Sequence, residues 1–375
     1  MPDGTGHAQS VGMVAHRITE FDVRAYRIPT ETPESDGTLN WQSTTLILVT
    51  LSSGTETGLG YTYGNKGLRD FIGDLIKKGA VDEDAFQIEK IWGKLVRLIR
   101  NEGRTGEGSM AIAAIDNALW DLKAKLLNVP LGYLLGLSRE KVEAYGSGGF
   151  TNYSMPQLEN QIAAWREAGF KKVKIKIGAP PEVEFERLTH VRRWCGDGMK
   201  LFVDANEAYD LMTAREIADI LKELNIGWFE QPIFAQDIEG MHDLKMQFPS
   251  GIYLTTGEYV YNVDDARRFL AGDAADVLQL DITRCEGLTG FLKCAHLCEA
   301  YNIPVSSHCA PALHVSPACS VAGLRHVEYF FDHARIEKRL FDGVPEPKAG
   351  WLTPDLGRNG HGLEFKFEDA ERYAV

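Results

Sequence analysis

Lys171-Lys172-Val173-Lys174-Ile175-Lys176-Ile177-Gly178 is the stretch on which the fold turns. In a strand, alternate side chains share a face, so Lys174 and Lys176 point one way and Val173, Ile175 and Ile177 the other. Alone, the run reads as a strand with a buried apolar side and two mutually repelling ammonium groups in water. The residues downstream change that reading. Leu201-Phe202-Val203 ends in Asp204, Ile226-Gly227-Trp228-Phe229 in Glu230, and the run from Ile252 to Gly257 in Glu258. Val277-Leu278-Gln279-Leu280 then ends in Asp281, and Ile303 to Ser307 in His308. Any one carboxylate at a strand end reads as a helix cap. Five polar residues in register after a double lysine read as a site.

Strand candidates centre near Ala144, Lys174, Phe202, Trp228, Leu254, Leu278, Val305 and Val327. They are roughly 22–30 residues apart, as βα units feeding a parallel sheet are. Helix starts are expected at Ser154, Thr213 and Asp264. Eight such units predict an α/β class and a closed TIM barrel, whose active site lies at the carboxyl ends of the strands.

Ahead of the barrel, Val14–Pro29 reads as an edge strand and Thr30–Asn40 as a polar loop. Ser43–Leu51 and Gly54–Tyr61 read as a hairpin, followed by helices over Glu83–Arg100 and Met110–Leu127, an α+β pattern. Gly58-Leu59-Gly60 has no helix directly after it, so it reads as turn and strand packing, not a dinucleotide loop. After Tyr329 the pattern becomes irregular, with Pro345, Pro347 and Pro354. The expected domains are therefore 1–140, 141–330 and 331–375.

A net charge of −13 argues against nucleic acid as a partner. No stretch is long and apolar enough to span a membrane, and Met1–Gly12 lacks the apolar core of a signal peptide. The six cysteines form no CxxC pair. A cytoplasmic protein with reduced thiols is expected.

Asp204, Glu230 and Glu258 are oxygen donors suited to a hard divalent cation, Mg²⁺ over zinc. Asp281, one strand before His308, is placed to fix the imidazole tautomer. Two bases flanking a metal suit abstraction of a proton next to a carboxylate, with Lys174 and the metal neutralising the enediolate. Lys176 must be neutral to act as base, and Lys174 and the metal would depress its pKa.

These residues resemble the enolase superfamily, and the mandelate racemase subgroup within it. The stretch Ala111–Lys125 and the following Pro130-Leu131-Gly132-Tyr133-Leu134-Leu135-Gly136 are similar to a helix signature of that family. The resemblance implies a modified TIM barrel, (β/α)7β, under an N-terminal α+β capping domain. It implies Asp204, Glu230 and Glu258 as Mg²⁺ ligands, Lys176 as base beside Lys174, and a His308–Asp281 dyad. It implies Glu328 as an acid that hydrogen-bonds the enediolate, with Ser147 and Asn206 contacting substrate. The absence of a sixth-strand lysine beside Leu280-Asp281 favours the racemase-like subgroup. Two positions depart from it: Gln231 where many members carry Glu, and Glu286 where Gly is usual.

The resemblance implies dehydration of an acid sugar, an aldonate or aldarate, to a 2-keto-3-deoxy acid as the expected reaction. Racemisation or epimerisation of a 2-hydroxy acid shares the first step. A non-catalytic metal-dependent binding protein on the same fold is the third possibility. The partner is a small carboxylate, and relatives of the fold imply a homo-oligomer. Substrate identity is expected to rest with the loops Thr30–Asn40 and Gly60–Gly67, where Trp41, Tyr61 and Tyr63 read equally as packing. Arg335-Ile336-Glu337-Lys338-Arg339 reads as a solvated or subunit-contact charge cluster, and His190, His296 and His314 as helix or loop residues.

Overall fold

The computed structural model describes residues 16–375. Met1–Gly12 and the start of the first expected strand lie outside them. Three antiparallel strands open the fold, β1 (Glu20–Ser35), β2 (Asn40–Ser53) and β3 (Glu56–Tyr63), in the order β1-β2-β3. Helices α1 (Leu68–Gly79), α2 (Ile88–Leu98), α3 (Glu107–Leu126) and the short α4 (Leu131–Leu135) follow.

Alternation gives this sheet two faces. Ala25, Ile47, Val49 and Leu51 pack with α1, α2 and α3, while Tyr26, Ile28, Leu46, Leu48 and Tyr61 join the large core that continues into the barrel. Gly58 and Gly60 lie on the helix-facing side because α3 comes too close for a side chain. A Cβ at either would meet the Ala118 or Ala114 carbonyl oxygen at 2.3 Å.

Eight parallel strands then alternate with helices. They are β4 (Val142–Gly148), β5 (Lys172–Lys176), β6 (Lys200–Asp204), β7 (Trp228–Glu230), β8 (Tyr253–Thr256), β9 (Val277–Leu280), β10 (Val305–Ser307) and β11 (His326–Phe330). The intervening helices are α5 (Met155–Glu167), α6 (Pro181–Cys195), α7 (Leu211–Glu223), α8 (Ile238–Gln247), α9 (Val263–Ala271), α10 (Gly287–Ala300) and α11 (Pro311–Ser320), with α12 (Phe331–Leu340) after the last strand. Neighbours pair in chain order from β4 to β10, and β11 pairs with β4. The remaining seam, β10 to β11, closes through the Val305–Leu324 bridge, the Ser306 Oγ–His326 Nδ1 contact at 2.8 Å and the Glu328 N–H donating to Ser307 Oγ. The result is a (β/α)7β modified TIM barrel with an N-terminal α+β cap.

Closure decides where the lysines of β5 go. Val173, Ile175 and Ile177 face the helices in the large core, so Lys174 and Lys176 face the barrel interior. Both are buried, not solvated.

Several local expectations are corrected. The polar loop begins only after Ser35: β1 runs on past a register shift between Pro29 and Glu34, because the Ser35 carbonyl accepts from Thr151 N and its hydroxyl meets Thr151 Oγ1 at 2.6 Å. Helix α1 was not expected, and α2 starts at Ile88 because Val81–Gln87 forms turns bonded to Ile18 and His16. Asp210 caps α7 and Asn262 caps α9, in place of Thr213 and Asp264. The chain after Tyr329 forms α12, and its Glu337 is buried, accepting from Tyr61 Oη at 2.6 Å and Ala312 N at 3.0 Å. The chain end returns to β1, where Val375 N donates to the Ala25 carbonyl. Among the described residues, no helix is long and apolar enough to cross a membrane.

Candidate active site

Strand register brings the polar residues together at one end of the barrel. Lys176 is paired with Asp204, and Asp204 with Glu230. Glu258 lies just beyond β8, Asp281 just beyond β9 and His308 just beyond β10, while Glu328 is on β11 and Ser147 near the end of β4. Asp204, Glu230, Glu258, Lys174, Asp281 and Glu328 are all at most 4% exposed, so their charges must answer one another.

Each of the three ligand candidates holds a base. Lys176 Nζ is 2.6 Å from Asp204 Oδ2, Lys174 Nζ is 2.5 Å from Glu230 Oε1, and His308 Nε2 is 2.8 Å from Glu258 Oε2. Lys174 also reaches Glu328 at 2.7 Å. On its other side His308 Nδ1 is 2.8 Å from Asp281 Oδ2, the dyad expected from sequence. Burial works against the imidazolium, but Cys309, Glu258 and Asp281 outweigh it and hold His308 well above the usual histidine range. Burial likewise opposes ionised Asp281, and His308 with Arg284 more than compensates.

The cluster is short of positive charge. Burial first, then the charge of Asp204, pushes the Glu230 carboxyl above its ordinary range despite Lys174 and Lys176. Five buried carboxyl groups, Asp204, Glu230, Glu258, Asp281 and Glu328, face Lys174, Lys176, His308 and Arg284, and the first three are an oxygen-only donor set of the kind a hard divalent cation takes. Lys176 is under opposing influences. Burial and Lys174 lower its pKa, but Asp204, Glu258 and Glu230 raise it further, so in the protein alone it is an ammonium.

Ser147 and Glu328 are bonded to each other. Ser147 Oγ donates to Glu328 Oε1 at 2.6 Å, and Cys309 N donates to Oε2 at 2.8 Å. Burial opposes ionised Glu328, yet Lys174, His308 and Lys176 hold its pKa down. As a carboxylate it accepts only, and it orients Lys174 and Ser147. Asn206 has a left-handed backbone (φ 44°), donates its N–H to Asp204 Oδ1 at 3.0 Å, and leaves its own Oδ1 buried without a partner.

Family models match both parts of the chain. Residues 13–136 match the mandelate racemase / muconate lactonizing enzyme N-terminal domain, and residues 157–370 the enolase C-terminal domain-like family. The chain belongs to the mandelate racemase subgroup of the enolase superfamily. It is 32% identical to L-talarate/galactarate dehydratase of Salmonella typhimurium over 84% of this chain and 78% of that protein. A mandelate racemase/muconate lactonizing enzyme-like protein from Rubrobacter xylanophilus superposes with a TM-score of 0.93 at 42% identity, covering 96% of this chain and all of that one. L-talarate dehydratase from Polaromonas sp. JS666, solved with Mg and L-glucarate, gives 0.87 at 31% identity, covering 96% and 97%.

The two departures from the family pattern have physical accounts. Glu286 adopts the left-handed conformation (φ 62°) that Gly takes without cost, and Arg104 holds its carboxylate through two bonds of 2.5 and 2.8 Å. Gly287 next to it must be Gly, since a Cβ there would strike Asp116 at 2.6 Å. Gln231, also left-handed, turns its amide to Glu207.

Three residues around this site were not singled out from sequence. Arg284 donates to the Glu258 carbonyl at 3.1 Å and approaches Asp281. Cys309 Sγ lies 3.3 Å from His308 Nε2. Trp228 donates to Glu230, and its signal was available: it precedes Glu230 by two, the spacing that shares a strand face. Trp41 bonds Glu34, Tyr61 bonds Glu337 and Tyr63 stacks on His333 at 3.6 Å, so all three pack.

Proposed function

We propose that this chain is a Mg²⁺-dependent dehydratase of an acid sugar, an aldonate or aldarate, yielding a 2-keto-3-deoxy acid. The observation that carries this is the single buried cluster in which Lys176 and the His308–Asp281 dyad stand on either side of Asp204, Glu230 and Glu258 in strand order. Asp204, Glu230 and Glu258 would hold Mg²⁺, which when bound supplies a Lewis acid for the substrate carboxylate.

Lys176, once neutral, takes the C2 proton on Nζ. Lys174 keeps its positive charge toward the enediolate, held in place by Glu230 and Glu328. His308 carries a proton on Nε2 and delivers it to the departing C3 hydroxyl, while Asp281 fixes its ring. Asn206, with its unpartnered carbonyl oxygen, is a substrate contact. The three-part division at residues 140 and 330 suits this chemistry, the cap closing the open end of the barrel. Six cysteines without a CxxC pair support a cytoplasmic enzyme, and relatives of the fold imply a homo-oligomer.

Return of a proton by the base opposite Lys176 would make the same site an epimerase. Proton NMR in D₂O with Mg²⁺ and a panel of aldonic and aldaric acids separates these outcomes. Loss of the C2 proton with a new 3-deoxy signal is expected. Deuterium at C2 with an epimer and no 3-deoxy signal would make epimerisation the reaction. No exchange with any acid would return the binding-protein alternative.

A further inference from the structure

We infer that Trp228 is a positioning residue whose indole N–H presets Glu230 for Mg²⁺. The inference rests on Glu230 being a metal ligand, as proposed above. On β7 the side chains alternate, so Phe229 faces the helix-side core while Trp228 and Glu230 both face the barrel interior. There Trp228 Nε1 donates to Glu230 Oε2 at 3.0 Å, both residues being buried. The other oxygen, Oε1, faces Lys174 at 2.5 Å. Two donors on two strands thus fix the plane of this carboxylate.

The two donors differ in what an arriving cation does to them. Lys174 carries a charge that repels it. The indole is neutral and donor-only, so it stays on the carboxylate and favours its ionised form. Its own position is fixed from below. The ring stacks on Phe202 at 4.7 Å and 17°, and Tyr145 and His326 tilt against it at 6.4 and 5.4 Å. Phe202 precedes Asp204 by two on β6 as Trp228 precedes Glu230 on β7, so an aromatic layer lies directly beneath the acidic one. Loss of a partner of this kind typically weakens metal binding by about 10- to 100-fold.

Calorimetric titration of Mg²⁺ into chelator-stripped protein tests this without substrate. Trp228→Phe keeps most of the ring and removes the donor, and Kd is expected to rise about 10- to 100-fold. Phe341→Leu trims a buried ring that packs on Tyr61 and Phe365, away from this layer, and Kd is expected to stay within about threefold of wild type. Should Trp228→Phe fold poorly, replacing the indole with benzothiophene keeps the shape and exchanges only the N–H for sulfur, with the same rise expected. A Kd within about threefold for the donorless variants, or an equal rise in Phe341→Leu, would overturn the role of the N–H. Absence of saturable Mg²⁺ binding by wild type would instead overturn the ligand assignment on which the inference rests.

Discussion

The Lys176 ammonium and the Asp204 carboxylate meet at 2.6 Å, from residues directly opposed on neighbouring strands. One contact therefore ties the proposed base to a proposed metal ligand. While Asp204 spends its charge on Lys176, the lysine stays protonated. A cation that takes up the Asp204 charge removes the largest influence holding that proton. On the proposed roles, the base would be set only when the ligand is engaged.

Lys176→Met is expected to lower kcat by about 10² to 10⁴ and to abolish exchange of the C2 proton with D₂O. His308→Asn is expected to lose 3-deoxy product to a similar degree while exchange at C2 continues, since Lys176 remains. Both are read by NMR and steady-state kinetics under saturating Mg²⁺. Exchange that survives in Lys176→Met and vanishes in His308→Asn would reverse the two roles.

Much of the site was legible because a barrel turns sequence order into spatial order. Asp204, Glu230, Glu258, Asp281 and His308 each end or follow an apolar run, and register does the rest. The alternation in Val173–Ile177 was equally visible, but its direction was not. In a sheet with one solvated face the lysines face water, and closure through β10 and β11 turns them inward. Glu337 was misread for a different reason. It stands in a charged run, and the groups that accept its burial, Tyr61 and Ala312 N, belong to other elements, Tyr61 to one 276 residues away. Local pattern carries no trace of such partners.

The turn between β1 and β2 offers a test of how the cap meets the site. A Cβ on Gly37 would lie 2.1 Å from the Ala205 carbonyl oxygen and 2.8 Å from that of Ile177, residues adjoining Asp204 and Lys176. Thr38 Oγ1 donates to the Asn206 carbonyl at 3.0 Å beside it. Gly37→Ala must lift this turn, and misplacement of about 1 Å is enough to cost about 10²-fold in rate. We expect kcat/KM to fall by about that factor while Tm drops by less than about 5 °C. Gly73→Ala, inside α1 where a Cβ meets nothing within 4 Å, is the control: it should leave kcat/KM unchanged and raise Tm slightly, since Ala is favoured over Gly in a helix by about 1 kcal/mol. Unaltered kcat/KM in Gly37→Ala would mean the turn plays no part in closing the site.

Glu337 gives a pH dependence with a definite sign. Burial pushes its carboxyl up to about 8 from an ordinary 4.5, against the opposing bonds from Tyr61 and Ala312. Below pH 4.5 the folded and unfolded chains both hold the proton, so the group contributes nothing to the slope. Between 4.5 and 8 the unfolded chain has lost it and the folded chain has not, so stability falls by about 1.4 kcal/mol per pH unit. Above 8 both are ionised and the loss is constant. Glu337→Gln replaces the protonated carboxyl with a neutral amide of the same shape and removes this dependence. Relative to wild type, the variant should be nearly equal at pH 5 and gain about 2–5 kcal/mol by pH 8.5, seen in urea unfolding midpoints across that range. Parallel stability curves for the two proteins would show that Glu337 is ionised in the fold at neutral pH, with Tyr61 and Ala312 N sufficient to keep it so.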